Sequence, residues 1–163
     1  MHATRILAAS ATLALGFLAA PAWADTKVMA GSTCEASFFP GLQFVFRGNG
    51  QILSSGSDKV SVTCPIVKDA SRITRAEVRV IDRNRGSGPD DNVGCTLTTL
   101  RIDGTVQQSQ TQKSSSSFQV PLPLTFGAQS AATGGSYSLV CELPPFAPGS
   151  GASSIASYTI VEG

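Results

Sequence analysis

Apolar and polar residues alternate along most of the chain with a period of two. Val60, Val62, Cys64 and Ile66 share one parity, with Ser61, Thr63 and Pro65 on the other, the pattern of a strand with one buried face. Ala76, Val78 and Val80 alternate in the same way with Arg75, Glu77 and Arg79, and Phe118, Val120, Leu122 and Leu124 with Gln119, Pro121 and Pro123. Tyr137, Leu139, Cys141 and Leu143 form a fourth set, and Ala156, Tyr158 and Ile160 a fifth. Two shorter apolar pieces, Leu42 to Arg47 and Gln51 to Leu53, flank Gly48-Asn49-Gly50. Asn-Gly supplies the positive φ angles of a tight β-hairpin turn. Beyond the first segment no window of about eleven residues keeps a 3.6-residue period, so helix is expected to be negligible.

Clusters rich in Gly, Pro, Ser and Asp separate these runs at 54–58, 85–92, 114–117, 127–136 and 144–154. None is long enough for an interdomain linker. About seven to nine short antiparallel strands at roughly ten-residue spacing predict an all-β fold, a two-sheet sandwich or jelly roll. Pro121 and Pro123 lack a backbone donor, which places their strand at a sheet edge.

The first segment is of another kind. Arg5 leads into an apolar run from Ile6 to Ala20, and Ala22-Trp23-Ala24 places small residues at the two positions a signal peptidase reads. Residues 1–24 are therefore expected to be a signal peptide and 25–163 a single β-sandwich domain, secreted to the periplasm or the medium. Removing 24 of the 163 residues leaves 139 and takes away the only histidine, His2, and the only tryptophan, Trp23. Losing Arg5 as well leaves 11 basic residues against 11 acidic ones. A neutral chain gains no general attraction to nucleic acid or an anionic membrane. With no second long apolar run, membrane insertion is not expected, and a monomer is.

All four cysteines, Cys34, Cys64, Cys95 and Cys141, lie in the mature part. An even number in an exported domain reads as two disulfides. Gaps of 30, 31 and 46 residues without histidine do not suit a zinc site. Three connectivities are open, and the tendency of sequence neighbours to lie side by side favours Cys34–Cys64 and Cys95–Cys141.

Extending the strand parities puts Asp82 and Glu162 on inward faces at strand ends. An inward carboxylate must be paired, hydrogen-bonded or neutralised, so both are expected to be structural acceptors for loop amides or an arginine. Asp90-Asp91-Asn92 is an oxygen-rich turn but lacks the spaced ligand ladder of a calcium loop, and no cofactor is expected. Arg72, Arg75, Arg79, Arg83 and Arg85 make a stripe broken by Asp69, Glu77 and Asp82, which reads as a solvated, charge-mixed sheet face.

Several of these residues carry a resemblance. Cys34; Val62-Thr63-Cys64-Pro65-Ile66-Val67-Lys68-Asp69; Val78-x-Val80-x-Asp82; Cys95-Thr96-Leu97; Tyr137-x-Leu139-x-Cys141-x-Leu143-Pro144; and Ser154-Ile155-x-Ser157-Tyr158-x-Ile160-x-Glu162 follow in that order. The chain thereby resembles a group of small uncharacterised secreted bacterial β-proteins, along nearly all of its mature length. The resemblance implies a bacterial, exported β-protein with paired cysteines and implies no activity.

Three functional classes follow. The first is a secreted non-catalytic β-sandwich that binds a partner or surface. The second is a carbohydrate-binding module, calcium-dependent or not, whose glycan would stack on exposed aromatic residues. Phe38-Phe39 and Phe146 lie in loops suited to that role. The third is a glycoside hydrolase using two carboxylates, because an absent histidine excludes Ser-His and Cys-His chemistry. No residue pair is singled out for catalysis, and the expectation is a binding or structural module, not an enzyme.

Overall fold

The computed structural model describes residues 24–37, 45–83, 91–115, 120–146 and 148–163, the Phe46 side chain excepted. The leader up to Trp23, the loop aromatics Phe38 and Phe39, the start of the hairpin at 42–44, Asp90, and Phe118 lie outside the described residues.

Among the described residues twelve strands form two antiparallel sheets. The seven-stranded sheet holds β1 (Asp25–Ala30), β3 (Val45–Gly48), β4 (Gln51–Ser54), β6 (Arg72–Ile81), β9 (Leu122–Phe126), β10 (Gln129–Ser130) and β12 (Ser154–Glu162). The five-stranded sheet runs in the order β2 (Glu35–Ala36), β5 (Val60–Cys64), β11 (Ser136–Leu143), β7 (Gly94–Leu100) and β8 (Val106–Lys113). Helix among the described residues amounts to one 3-10 turn, Gly31–Thr33.

The inward parities meet in one core. Val62, Val78, Leu97, Leu139, Leu143 and Ile160 are fully buried with Phe126 and Tyr158, a face-to-face packing of two half-apolar sheets. Asn49 and Gly50 take φ of 52° and 77° and close the β3–β4 hairpin as the Asn-Gly pair predicts. β9 pairs only with β6, with Pro123 opposite Arg79, so the proline-bearing strand is an edge. That strand begins at Leu122, later than the alternation suggested, and Val120 before it is largely exposed.

Two expectations are corrected. Ala156 is half-buried instead of inward, because the β12–β6 register shifts between Ile155 and Ser157. A bulge adds one residue and reverses the parity on one side of itself, so Ile155, not Ala156, joins Tyr158 and Ile160 in the core. The strand count also rises to twelve. β1 and β8 lack apolar alternation, and β8, Val-Gln-Gln-Ser-Gln-Thr-Gln-Lys, is held as an edge by pairing with β7. Three β8 glutamines accept from backbone amides near the opposite sheet edge: Gln110 from Gly127 at 2.9 Å, Gln108 from Ser130 at 3.1 Å and Gln107 from Ala132 at 2.9 Å. They satisfy backbone donors that no strand partner meets.

The disulfides are Cys34–Cys64 and Cys95–Cys141. Cys95 and Cys141 face each other across β7 and β11, and Cys34 immediately precedes β2, which pairs with the end of β5. Both bridges therefore join neighbouring strands of the five-stranded sheet. The two sheets are held to each other by the apolar core and by polar knots.

Candidate functional site: a groove along β12

β6 turns Arg75, Glu77 and Arg79 outward, as its alternation requires, while Ala76, Val78 and Val80 enter the core. β12 lies beside it, with Ser157 opposite Arg79, Thr159 opposite Glu77 and Val161 opposite Arg75. β1 follows on the other side of β12, with Val28 opposite Thr159. Ser157 and Thr159 on the central strand lie beside the longer Arg75, Glu77 and Arg79 on β6, with Val28 across from them on β1. These seven residues line an open groove of about 450 Å3, with β12 as the floor, Val28 as one wall and the charged β6 triplet as the other.

The charged wall is fixed internally. Arg75 donates from Nη2 to Glu77 Oε2 at 2.7 Å, and Arg79 from Nε to Glu77 Oε1 at 2.9 Å. The two arginine side chains remain more than half exposed, while that of Glu77 keeps 15%. The carboxylate is thus sequestered between two guanidinium groups whose other N–H donors face solvent. The face is solvated and charge-mixed, as the sequence reading has it, but it holds fewer acids than the stripe suggested. Asp82 points into the core and Asp69 lies in the loop after β5, so of the three acids only Glu77 shares the face with Arg75 and Arg79.

Asp82 and Glu162 are both 1% exposed, as their parity predicts. Asp82 follows the end of β6. Its Oδ2 accepts from the Ser114 hydroxyl in a short hydrogen bond and from the Val93 amide at 3.4 Å, and its Oδ1 accepts from the Ser153 hydroxyl at 3.4 Å. It ties β6 to the approaches of β7 and β12 and to the exit of β8. Glu162 accepts from the Asp69 amide at 3.1 Å and from Lys27 Nζ at 2.7 Å, a lysine where an arginine was one expectation. Glu162 pairs with Ile73 near the start of β6. Asp82 lies nine residues further on, about 30 Å of extended chain, so the two carboxylates do not form one site.

Lys27 is a residue the sequence reading passed over. Its ammonium lies 2.6 Å from Asp69, 2.7 Å from Glu162 and 3.7 Å from Asp25, and it donates to the Val67 carbonyl at 2.9 Å. Hydrogen bonds to Asp69 and then to Glu162 hold its pKa well above the ordinary lysine value. Asp25, Asp69 and Glu162 bring carboxylate oxygens within 4.8 Å of one another, and Lys27 is the cation among them. The signal for Lys27 was weak: an alternation of Lys27 and Met29 against Val28 in a strand without a clear apolar face.

Aromatic residues form no exposed row among the described side chains. Phe126, Tyr137 and Tyr158 are buried, and Phe146 is 42% exposed. Burial raises the pKa of both tyrosines. Tyr158 donates to the Pro65 carbonyl at 2.7 Å and Tyr137 to the Ser71 carbonyl at 2.7 Å, each pinning the loop after β5. Asp91 and Asn92, from the turn considered for calcium, are half-buried at the approach to β7.

The fold and this face define a disulfide-stapled antiparallel β-sandwich with an open groove of mixed polar and apolar lining on its seven-stranded sheet. The solved structures it is similar to include the low-affinity xylan-binding module CBM86 of Roseburia intestinalis, with a TM-score of 0.49 and 14% identity over 83% of this chain and 94% of that one. They also include CsCBM6-3 of Clostridium stercorarium, solved with cellobiose, at a TM-score of 0.48 and 17% identity over 84% and 94%. A third is the CBM36-1 domain of a multidomain xylanase from the hindgut metagenome of Trinervitermes trinervoides, at a TM-score of 0.49 and 14% identity over 85% and 98%. No family model matches the chain, and no curated protein matches it in sequence. Identities this low leave the chemistry of this chain to be read from its own side chains.

Proposed function

We propose that the protein is an exported, non-catalytic binding module whose ligand is an oligosaccharide lying in the groove along β12. The groove's lining carries the reading: hydroxyls of Ser157 and Thr159 on the floor, guanidinium donors of Arg75 and Arg79 on one wall, and the apolar Val28 and Val161. Sugar rings present both kinds of surface, hydroxyls at the rim and C–H groups on the faces, and sites of this kind combine apolar area with a few fixed polar groups. Binding is favoured over hydrolysis because Glu77 is the sole carboxylate in the lining and is already engaged by two arginines, whereas glycoside hydrolysis uses a pair. The reading uses arginine and valine where the sequence reading asked for aromatic platforms.

Purified mature protein applied to an array of glycans and cell-envelope fractions, with and without calcium, tests this reading. Thr159→Glu fills the floor with a longer side chain that can itself pair with the arginines of the wall and is expected to abolish the response while leaving the melting temperature within a few degrees. A response that survives the substitution rules out the groove.

We infer export from Ala22-x-Ala24 after the apolar run and from the two disulfides. Mass spectrometry of protein from the periplasm or medium is expected to find Asp25 first; full-length chain in the cytosol overturns this.

A further inference from the structure

Resting on the reading of the groove as an oligosaccharide site, we propose that its ligand is acidic: a glycan bearing uronic-acid carboxylates, with Arg75 and Arg79 taking the acid groups. Two arginines and one glutamate give the β6 wall a net positive charge, and Val28, Ser157, Thr159 and Val161 add none. The excess is local, because the mature chain as a whole carries equal numbers of basic and acidic residues.

The donor geometry points the same way. A guanidinium carries five N–H donors, and Glu77 engages Nη2 of Arg75 and Nε of Arg79. Both arginines line the groove and keep donors that Glu77 does not engage, and a planar fork suits bidentate pairing with a carboxylate. Glu77 also holds the two side chains in place before a ligand arrives, which lowers the ordering cost of binding. The backbones of Arg75 and Arg79 are four residues apart along one strand, about 13 Å, but both guanidinium groups converge on the Glu77 carboxylate, so acid groups of a ligand meet two cations side by side.

A peptide with acidic side chains would offer the same carboxylates but would also need partners for its backbone, which extended peptides find at a sheet edge. The groove has no such edge: β12 is paired to β6 on one side and to β1 and β4 on the other. A hydroxyl-lined floor on a strand with neighbours on both sides suits a sugar chain.

Affinity electrophoresis of mature protein through gels containing polygalacturonate, its fully methyl-esterified form, or poly-glutamate tests the proposal. Polygalacturonate is expected to retard the protein, and the ester, which has the same backbone without the charge, to act at least about tenfold more weakly. Retardation is expected to weaken with added salt. The double variant R75Q/R79Q is expected to lose about tenfold or more in affinity while melting like the parent. Equal retardation by polygalacturonate and its ester, lost in R75Q/R79Q, overturns the acidic ligand and leaves the oligosaccharide reading standing. Equal retardation by poly-glutamate overturns the oligosaccharide reading itself. Failure of polygalacturonate to retard the protein, or retardation unchanged in R75Q/R79Q, overturns the proposal.

Discussion

Lys27 places its ammonium 2.7 Å from Oε2 of Glu162, a carboxylate buried at the other end of the chain. The contact closes the first strand onto the last and holds the loop after β5 through Asp69 and Val67. Replacing Lys27 by Met leaves three carboxylates facing one another, with Glu162 buried and deprived of its cation. The variant is expected to melt well below the parent at pH 7, and by more than Asp25→Asn does, since Asp25 stands 3.7 Å from the ammonium. Thermal scans of the two variants check the order.

The raised pKa of Lys27 sets an alkaline limit. A group whose folded pKa lies above its unfolded value adds stability that is complete below the unfolded value and is lost as pH rises through the folded one. For Lys27 that loss begins above pH 10.5. Tyr158, raised by burial, behaves in the same sense from pH 10.0 upward. Denaturant midpoints measured from pH 8 to 12 are expected to fall above about pH 10. The fall should be shallower in Lys27→Met, and an equal fall in that variant would remove Lys27 from the explanation.

Asp82 is expected to act as a framework acceptor. Asp82→Asn removes the charge that receives the Ser114 and Ser153 hydroxyls and the Val93 amide. It should cost about 1 to 3 kcal/mol and lower the melting temperature at neutral pH by several degrees. Ligand binding in the folded fraction should be unchanged, because Asp82 is buried and absent from the groove lining. A variant that melts like the parent but loses the glycan response would move Asp82 into the functional site.

Gly31 is required for a close approach. A Cβ at that position would lie 1.9 Å from the Ile155 carbonyl oxygen, beside the β12 bulge. Backbone, not a flexible side chain, would have to move. Gly31→Ala is therefore expected to destabilise by about 3 kcal/mol or more, measured by urea unfolding. Gly104→Ala, with nothing within 4 Å but φ of +80°, should cost about 1 kcal/mol.

The disulfides close loops of 30 and 46 residues. In the chain-entropy model each removes about 4 kcal/mol of unfolded-state freedom. Loss of one bridge, as in Cys95→Ala with Cys141→Ala, should lower the unfolding free energy measured by urea titration by that order. Peptide maps under non-reducing conditions should link Cys34 to Cys64 and Cys95 to Cys141; a Cys64 peptide bound to Cys95 would contradict the structure.

The all-β class, the Asn-Gly hairpin, the proline edge strand and the inward placement of Asp82 and Glu162 were legible in the sequence, because side-chain parity in a strand is a local property that each residue reports through its neighbours two positions away. Parity stops being informative where a strand has no apolar face. Hence β8, held by pairing on one side and by its glutamines, and β1, held by Lys27, came from tertiary contacts. A bulge defeats parity for another reason: the residue at Ala156 is displaced by a register shift that depends on the partner strand. The groove is the furthest from the sequence. Arg75, Glu77 and Arg79 looked like any solvated strand face, and what makes them a wall is that β12 and then β1 lie beside them, joining positions 28, 75–79 and 157–161, which no local pattern connects.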